Sequence, residues 1–224
     1  MPSAITLPLA VRKAKDDLQE YEIIGNLHAA AFAQNPIYDL IFSKIEPSTA
    51  LQWLWIDGAK QWAAKGVDTV LVLERTDIKE LVVGAARYNK YDAAFKPQMW
   101  DDSEVVYPEG FDREENMRMS GPLLHWQQEL MDKYGKFLFL QNFVIAPTHQ
   151  RCGYGKWFLQ RIIEIAKEEG MNIALTAGPE QSGFWGKLGF QDVGEPIAYG
   201  EDGSCGVVCK MLLELFKPSF QASE

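Results

Sequence analysis

The chain has 224 residues, 47% of them hydrophobic and 24% charged, which is enough for one sizeable core and less than most two-domain proteins contain. Its formal charge of −9 excludes general nucleic-acid binding, because that function relies on basic surfaces that neutralise phosphates. A neutral or cationic small molecule suits this charge better as a partner.

The N-terminal segment differs from a secretory signal. Its apolar run over residues 5–11 is short, is interrupted by Pro8 and is followed by Arg12 and Lys13. No later segment is apolar enough to cross a bilayer. Three cysteines cannot form a full disulfide framework, and the Cys-x-x-x-Cys pair lacks nearby histidines for a zinc site. We therefore expect a cytoplasmic protein, monomeric or homodimeric, with reduced thiols, no metal and no membrane association.

The first part of the chain predicts a strand, two helices and a hairpin. The pattern favours a short strand over residues 7–12 and a helix over 17–42, where apolar residues recur at helical spacing. A second helix follows Pro47. Two strands, over residues 69–74 and 81–88, are separated by a polar turn.

Residues 89–134 form an irregular insertion. Residues 89–122 are rich in Asp, Glu, Gly and Pro and predict one turn of helix near Glu114. Pro122 then marks the start of a helix that ends at Gly135. The acidic residues of the insertion are interpreted as a solvated loop, with attraction of a cationic amine as the alternative.

The C-terminal part predicts a strand, a glycine turn, a helix and a strand. Residues 137–145 are almost continuously apolar, as in a central strand that is covered on both faces. A turn over 150–155 leads into an amphipathic helix that Gly170 ends. Alternation over 171–175 predicts the next strand.

The glycine turn has the composition of an anion site. The N-terminus of a helix presents unpaired backbone N–H groups, and glycines let a bulky anion such as a diphosphate come close to them. Gly153 and Gly155 alternatively do no more than permit a tight turn. A dinucleotide fingerprint is excluded because Phe158 stands where a small residue is needed. A P-loop is excluded because it needs glycine where this chain has Gln150, and Ser or Thr where it has Trp157.

Two motifs in this part of the chain carry a resemblance to a known family. Residues 150–155 follow the pattern Gln/Arg-x-x-Gly-x-Gly/Ala after an apolar strand, and residues 184–190 read aromatic-aromatic-x-Lys-Leu-Gly-Phe. In this order and spacing they resemble the GNAT superfamily of acetyl-CoA-dependent N-acetyltransferases. The preceding strand, helices and hairpin follow the order of that family, so the resemblance covers most of the chain except residues 89–134.

The resemblance implies both the architecture and the activity. It implies one α/β domain over residues 1–224, with a mixed, mainly antiparallel sheet that is flanked by helices and splayed near the central strand. It also implies an acyltransferase that moves an acetyl group to a small-molecule amine by direct attack on the thioester. The alternatives are a protein or peptide N-acetyltransferase and a module that binds acyl-CoA without catalysis.

The same resemblance implies the residues that hold acetyl-CoA. The pantetheine arm would pair with the main chain of Phe143, Val144 and Ile145. The pyrophosphate would be wrapped by the turn and its flanks, namely Gln150, Arg151, Cys152, Gly153, Tyr154, Gly155 and Lys156. Ser182 is the nearest polar substitute for an asparagine that relatives use to hold pantetheine, and Trp185 stands where many relatives have a tyrosine.

Catalytic and acceptor residues are implied less directly. Tryptophan cannot protonate the leaving thiolate as a tyrosine hydroxyl does, so Trp185 leaves the general acid unassigned. Gln141, which could orient a proton-relaying water, and Glu180 are the candidates for base catalysis. Phe32 and Tyr38 are expected to border the acceptor amine. His28 and His149 are expected at the surface.

Overall fold

The structure is a computed structural model that describes residues 7–32, 44–45, 49, 68–79, 81–97, 106–199 and 206–217. These residues contain eight strands and four α-helices. In chain order they are β1 (Leu9–Lys13), α1 (Leu18–Phe32), β2 (Asp68–Arg75), β3 (Leu81–Tyr91), α2 (Arg113–Tyr134), β4 (Phe137–Ile145), α3 (Tyr154–Glu168), β5 (Asn172–Ala177), α4 (Pro179–Gly186), β6 (Gln191–Asp192), β7 (Ile197–Tyr199) and β8 (Gly206–Leu213).

The strands form a mixed sheet in the order β1-β2-β3-β4-β5-β8-β6, and β7 pairs with β8. Strands β4 and β5 are parallel, and the other described pairs are antiparallel. A parallel pair needs a crossover connection, which α3 supplies here. The predicted mainly antiparallel α/β architecture is confirmed.

Helix α3 covers one face of the sheet. Its buried residues Phe158, Leu159 and Ile162 pack in one cluster with Leu138 of β4 and Leu175 of β5. The apolar residues of α3 recur at helical spacing, so a single stripe is buried while the opposite side stays polar. This packing holds the start of α3, and the turn before it, against the end of β4.

Helices α1 and α2 cover the opposite face through two separate apolar clusters. The α1 cluster comprises Tyr21, Ile24, Val70, Val72, Val82, Ala85 and Val144. The α2 cluster comprises Tyr91, Trp126, Leu130, Phe137, Phe139, Ala174 and Leu212. Side chains of a strand alternate between faces, so the continuous apolar run of β4 serves both layers.

The sheet opens between β4 and β5, as predicted. The two strands pair from Phe137 with Asn172 to Leu140 with Leu175, and β4 then continues to Ile145 beside β3 alone. The register between β3 and β4 shifts at the same point along β4. Arg87 pairs with Asn142 and the next residue, Tyr88, pairs with Leu140, so Gln141 has no partner on β3. This bulge at Gln141 bends β4 and increases its twist, which separates its end from β5.

The insertion contains more regular structure than predicted. Helix α2 begins at Arg113 and continues through Pro122, so the predicted helix start near Pro122 was wrong. A proline inside a helix removes one hydrogen bond and costs about 3 kcal/mol. Packing of the buried Trp126 and Leu130 on the sheet offsets that cost.

One further boundary, the end of β3, differs from the prediction. Strand β3 extends to Tyr91, beyond the predicted end at residue 88, because Tyr91 packs on Phe137 of the neighbouring strand, with ring centroids 5.1 Å apart. The predicted helix after Pro47, the residues 33–42 of the first predicted helix and Tyr38 lie outside the described residues. None of the helices in the described parts of the chain combines the length and hydrophobicity that a bilayer crossing requires.

Candidate functional site

A cavity of about 610 Å³ lies beside the open end of the sheet, between β4, the glycine turn and α4. Its walls bring together residues from four parts of the chain: Phe32, Phe143, Ile145, Gln150, Arg151, Gly153, Gly155, Lys156, Gln181, Phe184, Trp185, Lys187 and Leu188. Aromatic and aliphatic side chains form the inner walls, and cationic side chains form part of the lining. The cavity therefore suits a ligand with an apolar arm and an anionic end.

The glycine turn presents the N-terminus of α3 to this cavity. Gln150 ties the turn to β4, because its Nε2 donates a hydrogen bond of 3.0 Å to the carbonyl oxygen of Ile145. Arg151 and Gly153 adopt left-handed conformations with φ of 60° and 82°, a region that glycine enters at little cost. Gly153 is the N-cap and supplies no side-chain cap, so the first backbone N–H groups of α3 remain available to an anion.

Two glycines allow close packing around the end of β4. A Cβ on Gly155 would lie 3.6 Å from both Ile145 and Phe184, at ordinary contact distance, and a longer side chain would extend into the cavity. A Cβ on Gly84 of β3 would lie 2.7 Å from Cδ1 of Ile145 and 2.8 Å from the carbonyl oxygen of Val144. Glycine at position 84 is therefore required for β3 to pack against the end of β4.

Helix α4 contributes buried polar atoms without a hydrogen-bond partner. Trp185 is 6% exposed and packs edge-on against Phe143, with ring centroids 5.6 Å apart. Its Nε1 and the Oγ of Ser182 are both buried and have no hydrogen-bond partner in the described parts of the chain. Unpaired buried polar atoms are unfavourable, so a ligand whose carbonyl groups reached these two atoms would gain hydrogen bonds.

Most of the predicted cosubstrate residues line this cavity, together with Phe32. Four residues of the predicted set lie outside the cavity lining, and Ser182 is one of them. Val144 is buried under α1, Tyr154 is buried in the α3 core, and Cys152 is exposed with its Sγ 3.3 Å from the carbonyl oxygen of Gln150. The predicted roles of Val144, Tyr154 and Cys152 involve the main chain, so the positions of their side chains do not test those roles.

Sequence reasoning missed several residues of the α4 wall. Phe184, Lys187 and Leu188 line the cavity and belong to the second motif. Gln181 also lines the cavity, one helical turn before Trp185. Helical periodicity from Trp185 would have identified it.

Glu180 lies at the first turn of α4 and outside the cavity lining. Its carboxylate folds back over Gly178, because a Cβ built on Gly178 would meet the carboxylate oxygens of Glu180 at 2.4 and 2.6 Å. A carboxylate at this place is stabilised by the positive end of the helix dipole. The geometry therefore gives Glu180 a local role at the helix terminus.

A polar cluster lies on the α1 and α2 face of the sheet, near the bulge. We call Asp68, Arg87, Asn89 and Gln141 the bulge cluster. Arg87 and Asp68 form an ion pair of 2.6 Å whose side chains are only 3% and 1% exposed. Asn89 is fully buried and links this pair to Gln141.

His28 of α1 is fully buried, so the predicted surface position was wrong. Burial, together with the nearby charge of Arg87, lowers the pKa of His28 from 6.5 to about 3. The imidazole is therefore neutral at physiological pH. Its ring packs edge-on against Phe32, with centroids 4.5 Å apart, which holds that cavity-lining side chain in place.

Comparison with solved structures shows related folds. A mosquito arylalkylamine N-acetyltransferase like 5b superposes with a TM-score of 0.59 at 16% identity, over 91% of this chain and 98% of that chain. A structure titled histone acetyltransferase HPA2 and related acetyltransferase, from Corynebacterium glutamicum, gives 0.58 at 16% identity, over 97% and 100%. Spermidine N-acetyltransferase from Vibrio cholerae, in complex with CoA and spermine, gives 0.51 at 14% identity, over 92% and 94%. Identities this low establish the fold alone.

Sequence comparison identifies the family. An uncharacterized N-acetyltransferase of Bacillus pumilus is 35% identical over 57 residues, which are 25% of this chain and 33% of that protein. The chain thus matches about a third of that curated relative. The family described as Acetyltransferase (GNAT) family matches residues 42–190, which is more than half of the chain. The chain therefore belongs to the GNAT family of acetyltransferases.

Proposed function

We propose that this protein transfers the acetyl group of acetyl-CoA to the amine of a small molecule. The observation that carries the proposal is the opening between β4 and β5, where one cavity connects the start of α3 with the part of β4 beyond Leu140. An anionic end and an extended amide-containing arm can occupy these two regions together. The thioester would then lie near the bulge of β4.

The binding of acetyl-CoA would rely largely on the main chain. Backbone N–H groups at the start of α3 would donate to the diphosphate, with charge support from Arg151, Lys156 and Lys187, which line the cavity. The edge of β4 that faces β5 has no β5 ladder beyond Leu140. It can therefore pair with the pantetheine arm as an additional strand would.

Acetyl-CoA supplies an activated acyl group in the form of a thioester. During transfer the C–N bond forms and the C–S bond breaks; the electron pair leaves on sulfur and the amine nitrogen loses one proton to water. A main-chain N–H of β4 aimed at the carbonyl oxygen would stabilise the developing negative charge by roughly 2.7 to 4 kcal/mol. A thiolate is a tolerable leaving group near neutral pH, so the lack of a general acid would slow the reaction without abolishing it. This is consistent with tryptophan at position 185.

Two observations support a small-molecule amine as the acceptor. The net charge of −9 favours a cationic or neutral partner. Structures of similar fold include proteins named for arylalkylamines and for spermidine. Phe32, at the end of α1, reaches the same cavity as Phe143 and would border the acetyl end.

Release of the CoA thiol tests the proposal. The protein would be incubated with acetyl-CoA and, separately, with phenethylamine, spermidine and a lysine-containing peptide, and the acetylated product would be identified by mass spectrometry. We expect thiol release that equals the formation of an acetylated small amine. Transfer to the peptide alone would replace the proposal with a peptide acetyltransferase. Binding of acetyl-CoA without any transfer would make the protein a binding module.

A further inference from the structure

Gln141 occupies a distinctive place in the sheet. It is the first residue of β4 beyond the last β4–β5 pair, and the register shift leaves it without a pairing partner on β3. Its side chain is exposed and lies on the sheet face between the α1 and α2 clusters. Gln141 therefore borders the point where the two strands separate.

The hydrogen bonds of the bulge cluster fix the orientation of the side-chain amides of Asn89 and Gln141. The carboxylate of Asp68 accepts hydrogen bonds from Arg87, with Nε at 2.7 Å from Oδ2. An ionised carboxylate can only accept, so the group that Asn89 turns toward it must be a donor. This group is Nδ2 of Asn89, 2.5 Å from Oδ1 of Asp68.

The orientation of Asn89 is passed on to Gln141. With Nδ2 directed at Asp68, Asn89 turns its Oδ1 the other way, where it accepts a hydrogen bond from Nε2 of Gln141. The Gln141 amide thus has its nitrogen engaged. Its Oε1 remains an acceptor that has no hydrogen-bond partner in the parts of the chain that the structure describes.

We propose that Oε1 of Gln141 accepts a hydrogen bond from an N–H of the incoming amine, and that Asp68, acting through Asn89, orients this oxygen. The inference rests on the proposed function and names its acceptor-binding group. It predicts primary and secondary amines as substrates, since a tertiary amine has no N–H in its neutral form. Gln141 contacts the substrate, whereas Asn89 and Asp68 are positioning residues.

A neutral amide oxygen suits this role. Direct attack on a thioester needs the lone pair of an uncharged amine. A carboxylate at position 141 would favour the ammonium form, in which that lone pair is protonated. The carbonyl oxygen of glutamine orients an N–H while adding no net charge.

A double-mutant cycle tests the connection between Asn89 and Gln141. Gln141→Leu, Asn89→Leu and the double variant would be compared with wild type in kcat/KM for phenethylamine and spermidine. Loss of one neutral hydrogen bond predicts a decrease of about 3- to 10-fold for each single variant. Because Asn89 acts through Gln141, the double variant should be no slower than Gln141→Leu. The Kd for acetyl-CoA should stay within about threefold of wild type in all three variants.

Additive losses in the double variant would overturn the positioning role of Asn89, and an unchanged kcat/KM in Gln141→Leu would overturn the contact itself.

A second measurement requires neither turnover nor a folded Asn89 variant. In the wild-type protein saturated with CoA, the side-chain amide resonances of Gln141 would be followed by NMR during titration with phenethylamine. A saturable shift that the quaternary ammonium N,N,N-trimethylphenethylammonium, which has no N–H at any pH, fails to produce supports the inference. If no shift occurs, the inference is wrong, and absence of turnover alongside a saturable shift would refute only the proposed function.

Discussion

Replacement of Gly155 by glutamate is expected to abolish acetyl-CoA binding without disturbing the fold. A Cβ at this position would make ordinary contacts of 3.6 to 3.8 Å with Ile145, Phe184 and Phe143, so the protein can accept it. The rest of the side chain would occupy the cavity in front of the first N–H groups of α3. A non-glycine residue in a helix is favoured by up to about 1 kcal/mol, so stability should not decrease.

Two effects determine the expected loss of affinity. Displacing a phosphate from the helix N-terminus removes charge-assisted hydrogen bonds, each contributing about 1.5 to 3 kcal/mol. A carboxylate about 4 Å from a phosphate adds a repulsion of about 1 to 4 kcal/mol, depending on the effective dielectric constant. Loss of two bonds together with this repulsion amounts to at least about 4 kcal/mol, or roughly a 1,000-fold increase in Kd.

Isothermal titration with acetyl-CoA would measure this change, with two variants as controls. Gly155→Gln has nearly the same size without the charge, and it separates the steric effect from the repulsion. Gly183→Glu places the same charge on an exposed part of α4, where a Cβ would meet no atom within 4 Å, and should bind within about threefold of wild type. Thermal unfolding should agree within about 4 °C for all variants. If a folded Gly155→Glu protein binds acetyl-CoA as tightly as wild type, the diphosphate does not bind at the start of α3.

Three further outcomes are expected. Gly84→Ala should lower the free energy of unfolding by about 1 to 3 kcal/mol in urea titrations, because the new methyl group would lie 2.7 Å from Cδ1 of Ile145. Burial lowers the pKa of His28 from 6.5 to about 3 in the folded chain. As the pH falls from 7 to 5, His28 therefore binds a proton in the unfolded chain and stays neutral in the folded chain. The free energy of unfolding should therefore fall by about 2 kcal/mol over that interval, and His28→Leu should remove this part of the pH dependence. Ser182→Ala should leave the ligand-free protein as stable as wild type, because the buried Oγ has no partner in the described residues. In titrations with acetyl-CoA the same variant should bind about 3- to 10-fold more weakly, since the ligand would lose one hydrogen bond.

Local patterns predicted the half of the fold that contains the proposed acetyl-CoA site. Strand β4 begins and ends at the predicted residues, because a continuous apolar run followed by Pro147 has few other interpretations. The start of α3 was predicted from its glycines. Helix α2 was mispredicted because the local cost of Pro122 was weighed without the packing of Trp126, which depends on residues distant in the chain.

The family, the strand–turn–helix unit and the glycine turn could be predicted from the amino-acid sequence alone. These depend on short-range features, namely apolar periodicity, glycine conformation and the spacing of two motifs. Three features became evident from the folded structure: the burial of His28, the bulge at Gln141 and the amide orientations that begin at Asp68. Those features depend on strand register and on contacts between residues far apart in the chain, such as Asn89 and Gln141, and no local pattern encodes either.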